Sequence, residues 1–498
     1  MKLIQTTTRV AAIALGACLF ASAALADGKL AIKAGKILAG PGMPEVEQGV
    51  IVIENGRIAA IGKDVKVPWD AVVIDAPNMV AVPGYIEAHS SRGMDRPNEN
   101  LDIAPFLSVR DSIDPVSFYF EDSLRWGVTT INIQQGNNCV IAGQGMVVRP
   151  TGLTVDEMIV RIPSGVKLSA SPKTGFSAAT QAQTLRRAFS DLRRSLEQLV
   201  AEKKEGNDRA RREALYQGRD LEGENAKGKA MEGSAWKVTG LELVPRGEID
   251  EKLVPLLGLV EGKLPAFIYC GRPMDVHTAL EVAKENGFLS KTTLVLSPAC
   301  YKAAGAVAAA KVPVILDGSV MYVETDPLTG EEREVFVPGE LKKAGVRFAL
   351  ASANPTTESL WFQAAQCIGR GMTRAEAITA VTTVPAEILG LGKQLGTLEV
   401  GKFGTVLLCS GDPLSVTSWV ERVVIEGKDV YDRSKDVRVK HLVGGQAPAN
   451  TQAMGAALLG DARKVVCCEG EDPEEHAKHL AEERAKKDKG EEDSEDDK

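Results

Sequence analysis

The stretch Val80-Ala81-Val82-Pro83-Gly84-Tyr85-Ile86-Glu87-Ala88-His89-Ser90-Ser91 separates two kinds of sequence. Before it, from Lys29 to about Val82, short β-rich runs alternate with turn signals: LAIKAGKILAG, then GVIVIENGRIAAIG, then AVVIDAPNMVAV. Asn55-Gly56 between two alternating apolar runs predicts a tight hairpin, because both turn positions need a positive φ. After it, from Pro83 to Leu391, strand-like runs alternate with helix-like ones: VTTINI, FIYC before DVHTALEVAKENG, TTLVLSP before YKAAGAVAAAK, then VPVIL and RFALASA. Apolar strands buried on both faces fit a parallel sheet covered by helices. More than three hundred residues of such units favour a closed (β/α)8 barrel over an open sheet. A second β-rich stretch, Gly396 to Asp432, lies near the far end, so both ends together are expected to build one small composite β-sandwich.

The middle segment carries one interruption. Leu185, Ala188, Phe189, Leu192, Leu196 and Leu199 keep helical spacing among arginines and glutamates, and a polar, glycine-containing stretch from Glu202 to Gly233 follows. This predicts an amphipathic helix packed on the barrel wall and an exposed insertion, together about residues 178–235. The expected organisation is then an export signal over 1–26, β-domain segments over 27–82 and 392–445, a barrel over 83–391, and a linker with an acidic tail over 446–498.

Composition bounds the function. The 498 residues are 44% hydrophobic and 25% charged, which is ordinary for a soluble globular chain. The net charge of -8 equals the surplus of the last thirty residues, where 14 acidic residues face 6 basic ones, so the rest is balanced. Nothing there would neutralise phosphates, and nucleic acid is not an expected partner. Lys2 and Arg9 precede an apolar run from Val10 to Leu25, and Ala24-Leu25-Ala26 offers a cleavage site, so a periplasmic or secreted protein is expected. The alternative is a lipoprotein signal ending at Cys18. No stretch reaches the roughly 20 apolar residues of a membrane span. Seven scattered cysteines remain beyond residue 26, which is no disulfide framework.

Several motifs together resemble the amidohydrolase superfamily, in particular its imidazolonepropionase-like metal-dependent hydrolases. These are ENGRIAAIG followed by VPGYIEAHS, GVTTINIQQGNN followed by Ala142-Gly143-Gln144-Gly145, and GMTRAEAITAVTTVPAEILGLGKQLGTLEVGKFGTVLLCSGDPL. The resemblance implies a barrel with one or two divalent metals at the C-terminal mouth of its strands, hydrolysing carbon–nitrogen bonds of amides and cyclic amides. A metal there lowers the pKa of bound water to roughly 7. It also implies a ligand set: His-x-His after strand 1, lysine or glutamate on strand 4, one histidine each after strands 5 and 6, and aspartate after strand 8.

Most of that set is missing. His89 matches the first histidine, but Ser91 stands at the second. Lys167 matches the strand 4 position. No histidine occurs in Phe267 to Gly271 or around Leu296 to Ala299, and Ala353 with Asn354 takes the aspartate's place. The census does not depend on alignment: the five histidines are at 89, 277, 441, 476 and 479, and His277 lies in a helix-like run. The usual binuclear centre is therefore not expected. Cys139, Cys270 and Cys300 each end a strand-like run, so they are either packed small residues or thiolate ligands. No resident cofactor is expected; the alternative is one divalent metal, zinc, on His89, Lys167 and Cys270. Glu87, Ser91, Arg92, Gln144, Tyr269, Arg272 and Asn354 are candidates to line a pocket, with Asp111, Asn132, Gln134 and Asn137 also near the mouth. The expected role is binding of a small polar molecule, or support of an active relative in a homo-oligomer or a complex. An active hydrolase with a reduced metal site is the alternative.

Overall fold

The computed structural model describes residues 28–217, 236, 244, 246–352 and 359–444. The expected export signal, Asn354, most of the polar insertion, and the tail with His476 and His479 lie outside these residues. The chain divides into two units, one ending at Arg433 and one from Ser434 onward; within the latter the described helix is Val437–Gly444. The last described strand ends at Asp432.

The first unit is α/β. It opens with β1 (Lys29–Ile37), β2 (Val46–Glu54), β3 (Arg57–Gly62) and β4 (Val72–Pro83). Asn55 and Gly56 have φ of 50° and 74°, the two positive values that a hairpin of this length requires. At the junction Gly84 has no freedom to be another residue: a Cβ there would sit 2.0 Å from Thr129 Oγ1. The middle strands are β5 (Tyr85–Ser90), β6 (Val128–Ile133), β7 (Ile141–Gln144), β8 (Met146–Val148), β9 (Ile159–Arg161), β10 (Val166–Ser169), β11 (Ala266–Cys270), β12 (Thr292–Leu296) and β13 (Val314–Asp317). A two-stranded excursion, β14 (Met321–Thr325) with β15 (Glu332–Phe336), precedes β16 (Phe348–Ala351). β17 (Val406–Cys409), β18 (Val420–Ile425) and β19 (Lys428–Asp432) close the unit.

Both ends meet in one seven-stranded sheet, ordered β19-β18-β17-β4-β1-β2-β3, in which β17 pairs antiparallel with β4. Alternation sorts its side chains. Val406, Leu408, Ile51, Ile53 and Ile74 fill a core of the sheet's own, whereas Leu407, Val423 and Ile425 join the core of the middle segment.

In the middle segment β10, β11, β12, β13 and β16 run parallel in spatial order, with β7 antiparallel at the edge. A second sheet is ordered β5-β6-β8-β9. Strand pairing among the described residues therefore gives two sheets where one closed ring was expected. They nevertheless share an interior: Ile86 and Ala88 of β5 and Val147 of β8 pack with Phe267, Val295, Ile315 and Ala349 of the other sheet. At one seam the Ser352 N–H, just past β16, donates to the Glu87 carboxylate of β5. The 40-residue helix Ala178–Gln217 buries Leu185, Ala188, Phe189, Leu192 and Leu196 against the outer core, with Phe189 and Phe288 ring centroids 5.3 Å apart. Among the described residues no helix is long and apolar enough to cross a membrane.

Candidate functional site

Strand parity decides which side chains reach the interior. On β10 Val166 and Leu168 pack outward, so Lys167 points inward, in register with Phe267. On β13 Val314 and Leu316 pack outward, leaving Ile315 inward and Asp317 on the same face at the strand end. His89 comes from the end of β5, and Asn137 from the loop after β6.

These four converge. Lys167 Nζ lies 2.7 Å from His89 Nε2 and donates to Asn137 Oδ1 at 2.8 Å. Asn137 Nδ2 donates to Asp317 Oδ2 at 2.8 Å, and Asp317 Oδ1 stands 3.6 Å from His89 Nδ1. The Tyr269 ring centroid is 5.6 Å from Nζ. Lys167 and His89 are buried, while the Asp317 side chain keeps 21% of its surface in solvent.

Burial and neighbours fix the charge states. Loss of water lowers Lys167 from an ordinary 10.5 to about 8. Burial, and then the nearby Lys167, hold His89 below its ordinary value, so the imidazole is neutral at pH 7. Its Nε2 accepts from the lysine, which puts the ring proton on Nδ1, facing Asp317. Burial opposes ionisation of Asp317, but His89, Lys167 and the Asn137 amide together outweigh it and keep the carboxyl well below the usual range. Glu87, two residues before His89, is raised by burial to about 7 although it accepts the Ser352 N–H.

The sequence candidates thus separate. His89, Lys167 and Tyr269 come together, and Glu87 lies beside them on β5. Ser91 is half-buried in the loop past β5, and no hydrogen bond ties it to the network. Arg92 is exposed. Gln144 is held elsewhere, its amide donating to the Pro105 carbonyl. Arg272 pairs with Asp275 at 2.8 Å and helps to cap the helix Pro273–Glu285, on which His277 is exposed. Cys270 shares the outward parity of Ile268 and sits in the outer core, where burial pushes its thiol well up. Burial likewise raises Cys139 to about 11 and Cys300 to about 12, so both are thiols at neutral pH. Asp317 was not found from sequence; an aspartate closing the apolar run VPVILD ahead of Gly318 was its signal.

The metal that the fold family implies can be tested against these residues. Among the described residues no group of three or more histidine, cysteine, aspartate or glutamate side chains is placed to hold an ion. The Nε2 of the one available imidazole receives a lysine nitrogen instead. The residues present do not fit a binuclear centre.

No family model matches the chain. It is 23% identical over 435 residues to the amidohydrolase tasK of Hapsidospora irregularis, covering 77% of this chain and 40% of that protein. A 94-residue stretch is 36% identical to the imidazolonepropionase of Maricaulis maris, covering 18% of this chain and 23% of that enzyme. The chain thus spans well under half the length of these curated relatives. Among solved structures an amidohydrolase from Thermotoga maritima superposes with a TM-score of 0.63 at 23% identity, over 81% of this chain and 100% of that one. The chain has the amidohydrolase fold and is similar in sequence to amidohydrolases. At the ends of its inner strands it carries a lysine–histidine–aspartate–asparagine network.

Proposed function

We propose that this amidohydrolase-fold protein is exported, closes its main strands as a (β/α)8 barrel, and uses the barrel mouth to bind a small polar molecule without a binuclear metal centre. Support for the barrel is the interior packed jointly by strands of both sheets, together with the fold of the Thermotoga maritima neighbour. Support for export is the Lys2 to Ala26 segment, and N-terminal sequencing of the secreted protein should start at Asp27.

One observation carries the binding role: Lys167 Nζ sits 2.7 Å from the His89 nitrogen that a metal would need. The mouth offers donors and acceptors in fixed positions, which suits recognition of a compact polar ligand. The competing reading is an active hydrolase of non-peptide carbon–nitrogen bonds on a one-metal site, favoured by the convergence of Asp317, His89 and Lys167. Thermal-shift measurement with small amides, polyols and aldehydes separates the two. The binding reading expects stabilisation by at least one compound in the wild type and none in Asn137→Leu. Hydrolysis of simple amides that requires added zinc would overturn it.

A further inference from the structure

We propose that Lys167 is an imine-forming amine, and that the molecule taken at this mouth is a small neutral aldehyde or ketone. The inference rests on the ligand-binding reading and gives its ligand a chemical class.

The geometry around Nζ carries it. Lys167 is wholly buried, and its nitrogen touches two neutral acceptors, His89 Nε2 and Asn137 Oδ1. Among the described residues no carboxylate forms an ion pair with it; Asp317 stands on the far side of the imidazole. A buried ammonium with no carboxylate in contact is costly, so burial eases the loss of its proton and brings the neutral amine within reach close to neutral pH. That neutral, desolvated fraction is a nucleophile.

The neighbours supply the rest. As the Nζ lone pair forms a bond to the carbonyl carbon, the C=O π pair moves onto oxygen and the nitrogen becomes positively charged. His89 Nε2, already in hydrogen-bond contact, takes that proton, and Asp317 beside Nδ1 steadies the resulting imidazolium. That proton passes to the alkoxide to give the carbinolamine hydroxyl; the second Nζ proton then follows through the same imidazole, the C–O bond breaks with loss of water, and the nitrogen lone pair forms C=N. Amine plus carbonyl gives imine plus water, and no oxidant or reductant is consumed. Asn137 bridges Nζ and Asp317, so it positions both. Tyr269 forms an aromatic wall near Nζ. The part-exposed Asp317 carboxylate disfavours a 2-oxo acid and selects an uncharged carbonyl.

The test treats the full-length protein with propanal and sodium cyanoborohydride, followed by intact mass and peptide mapping. The proposal expects one N-propyl group, placed on Lys167 before exposed lysines react, absent in Lys167→Met, and formed at least about tenfold more slowly in His89→Gln. Wild-type peptide mapping decides the matter even where a variant fails to fold. Labelling spread over exposed lysines, with Lys167 unmodified in folded protein, would overturn the proposal. Thermal stabilisation by an amide or polyol together with an unmodified Lys167 would overturn this inference while sparing the ligand-binding reading. Failure of every compound to bind, with no adduct, would overturn both.

Discussion

Replacing Lys167 with methionine keeps an unbranched stem in the buried slot and removes only the amine. In the wild type the group binds its proton with a pKa of about 8 in the folded state against 10.5 ordinarily. The unfolded chain therefore holds the proton more tightly, and below pH 8 folding is penalised by about 3 kcal/mol. As pH rises from 8 towards 10.5 the unfolded state loses that advantage, and roughly 2 kcal/mol is recovered by pH 9.5. Methionine removes the penalty, but it also strips His89 Nε2 and Asn137 Oδ1 of a donor. That loss costs about 1 to 3 kcal/mol for each acceptor that water cannot reach. At pH 7 the opposing effects nearly cancel, whereas at pH 9.5 the variant should be the less stable by about 2 kcal/mol more than at pH 7. Urea unfolding of both proteins at the two pH values reads the difference directly, with contributions from other lysines cancelling. A stability difference that is the same at both pH values would refute the placement of Lys167 as a desolvated, unpaired amine.

Further consequences follow from single residues. Glu87 ionises at about 7 when folded and near 4.5 when unfolded, so the wild type should lose about 3 kcal/mol as pH rises from 4.5 through 7. Glu87→Gln, whose amide oxygen still accepts the Ser352 N–H, should flatten that slope in denaturant unfolding between pH 5 and 8; an unchanged slope would contradict the burial of Glu87. Gly84→Ala places a methyl group against Thr129 and should destabilise by about 3 kcal/mol or more, with Gly84→Ala/Thr129→Ala partly restoring the midpoint. Leu192→Ala should cost about 2 to 5 kcal/mol if the long helix packs on the outer core, and a change below about 0.5 kcal/mol would show that face to be solvated.

Local signals were legible in the sequence wherever a residue type has one structural use. Asn55-Gly56 specified its hairpin through its positive φ values, Pro83-Gly84 marked a junction that tolerates no Cβ, and the Leu185 to Leu199 stripe read correctly as a buried helix face. His89 and Lys167 were found through motif position, and the structure joins them. What could not be read was parity and long-range partnership. Cys270 and Tyr269 are adjacent on one strand, yet only one faces the interior, and a run such as FIYC does not say which. Gln144 and Arg272 looked free to meet a ligand because their partners, the Pro105 carbonyl and the Asp275 carboxylate, are polar groups like any others in sequence. Asp317 drew no reading, because one aspartate after an apolar run is common in sequence. Closure of the barrel was expected from the number of βα units, but that number does not fix hydrogen bonding at the seams, where pairing gives two sheets around one interior.

The central proposal is that the lysine–histidine network at the strand ends works without a binuclear metal centre. Elemental analysis of the purified full-length protein, dialysed against a weak chelator and compared with His89→Ala, tests it most directly. The account predicts less than about 0.1 equivalent of zinc, iron, manganese, cobalt or nickel in either protein, since a site with a single imidazole and no thiolate has too few donors to retain an ion. One or more equivalents in the wild type, lost in His89→Ala, would contradict it.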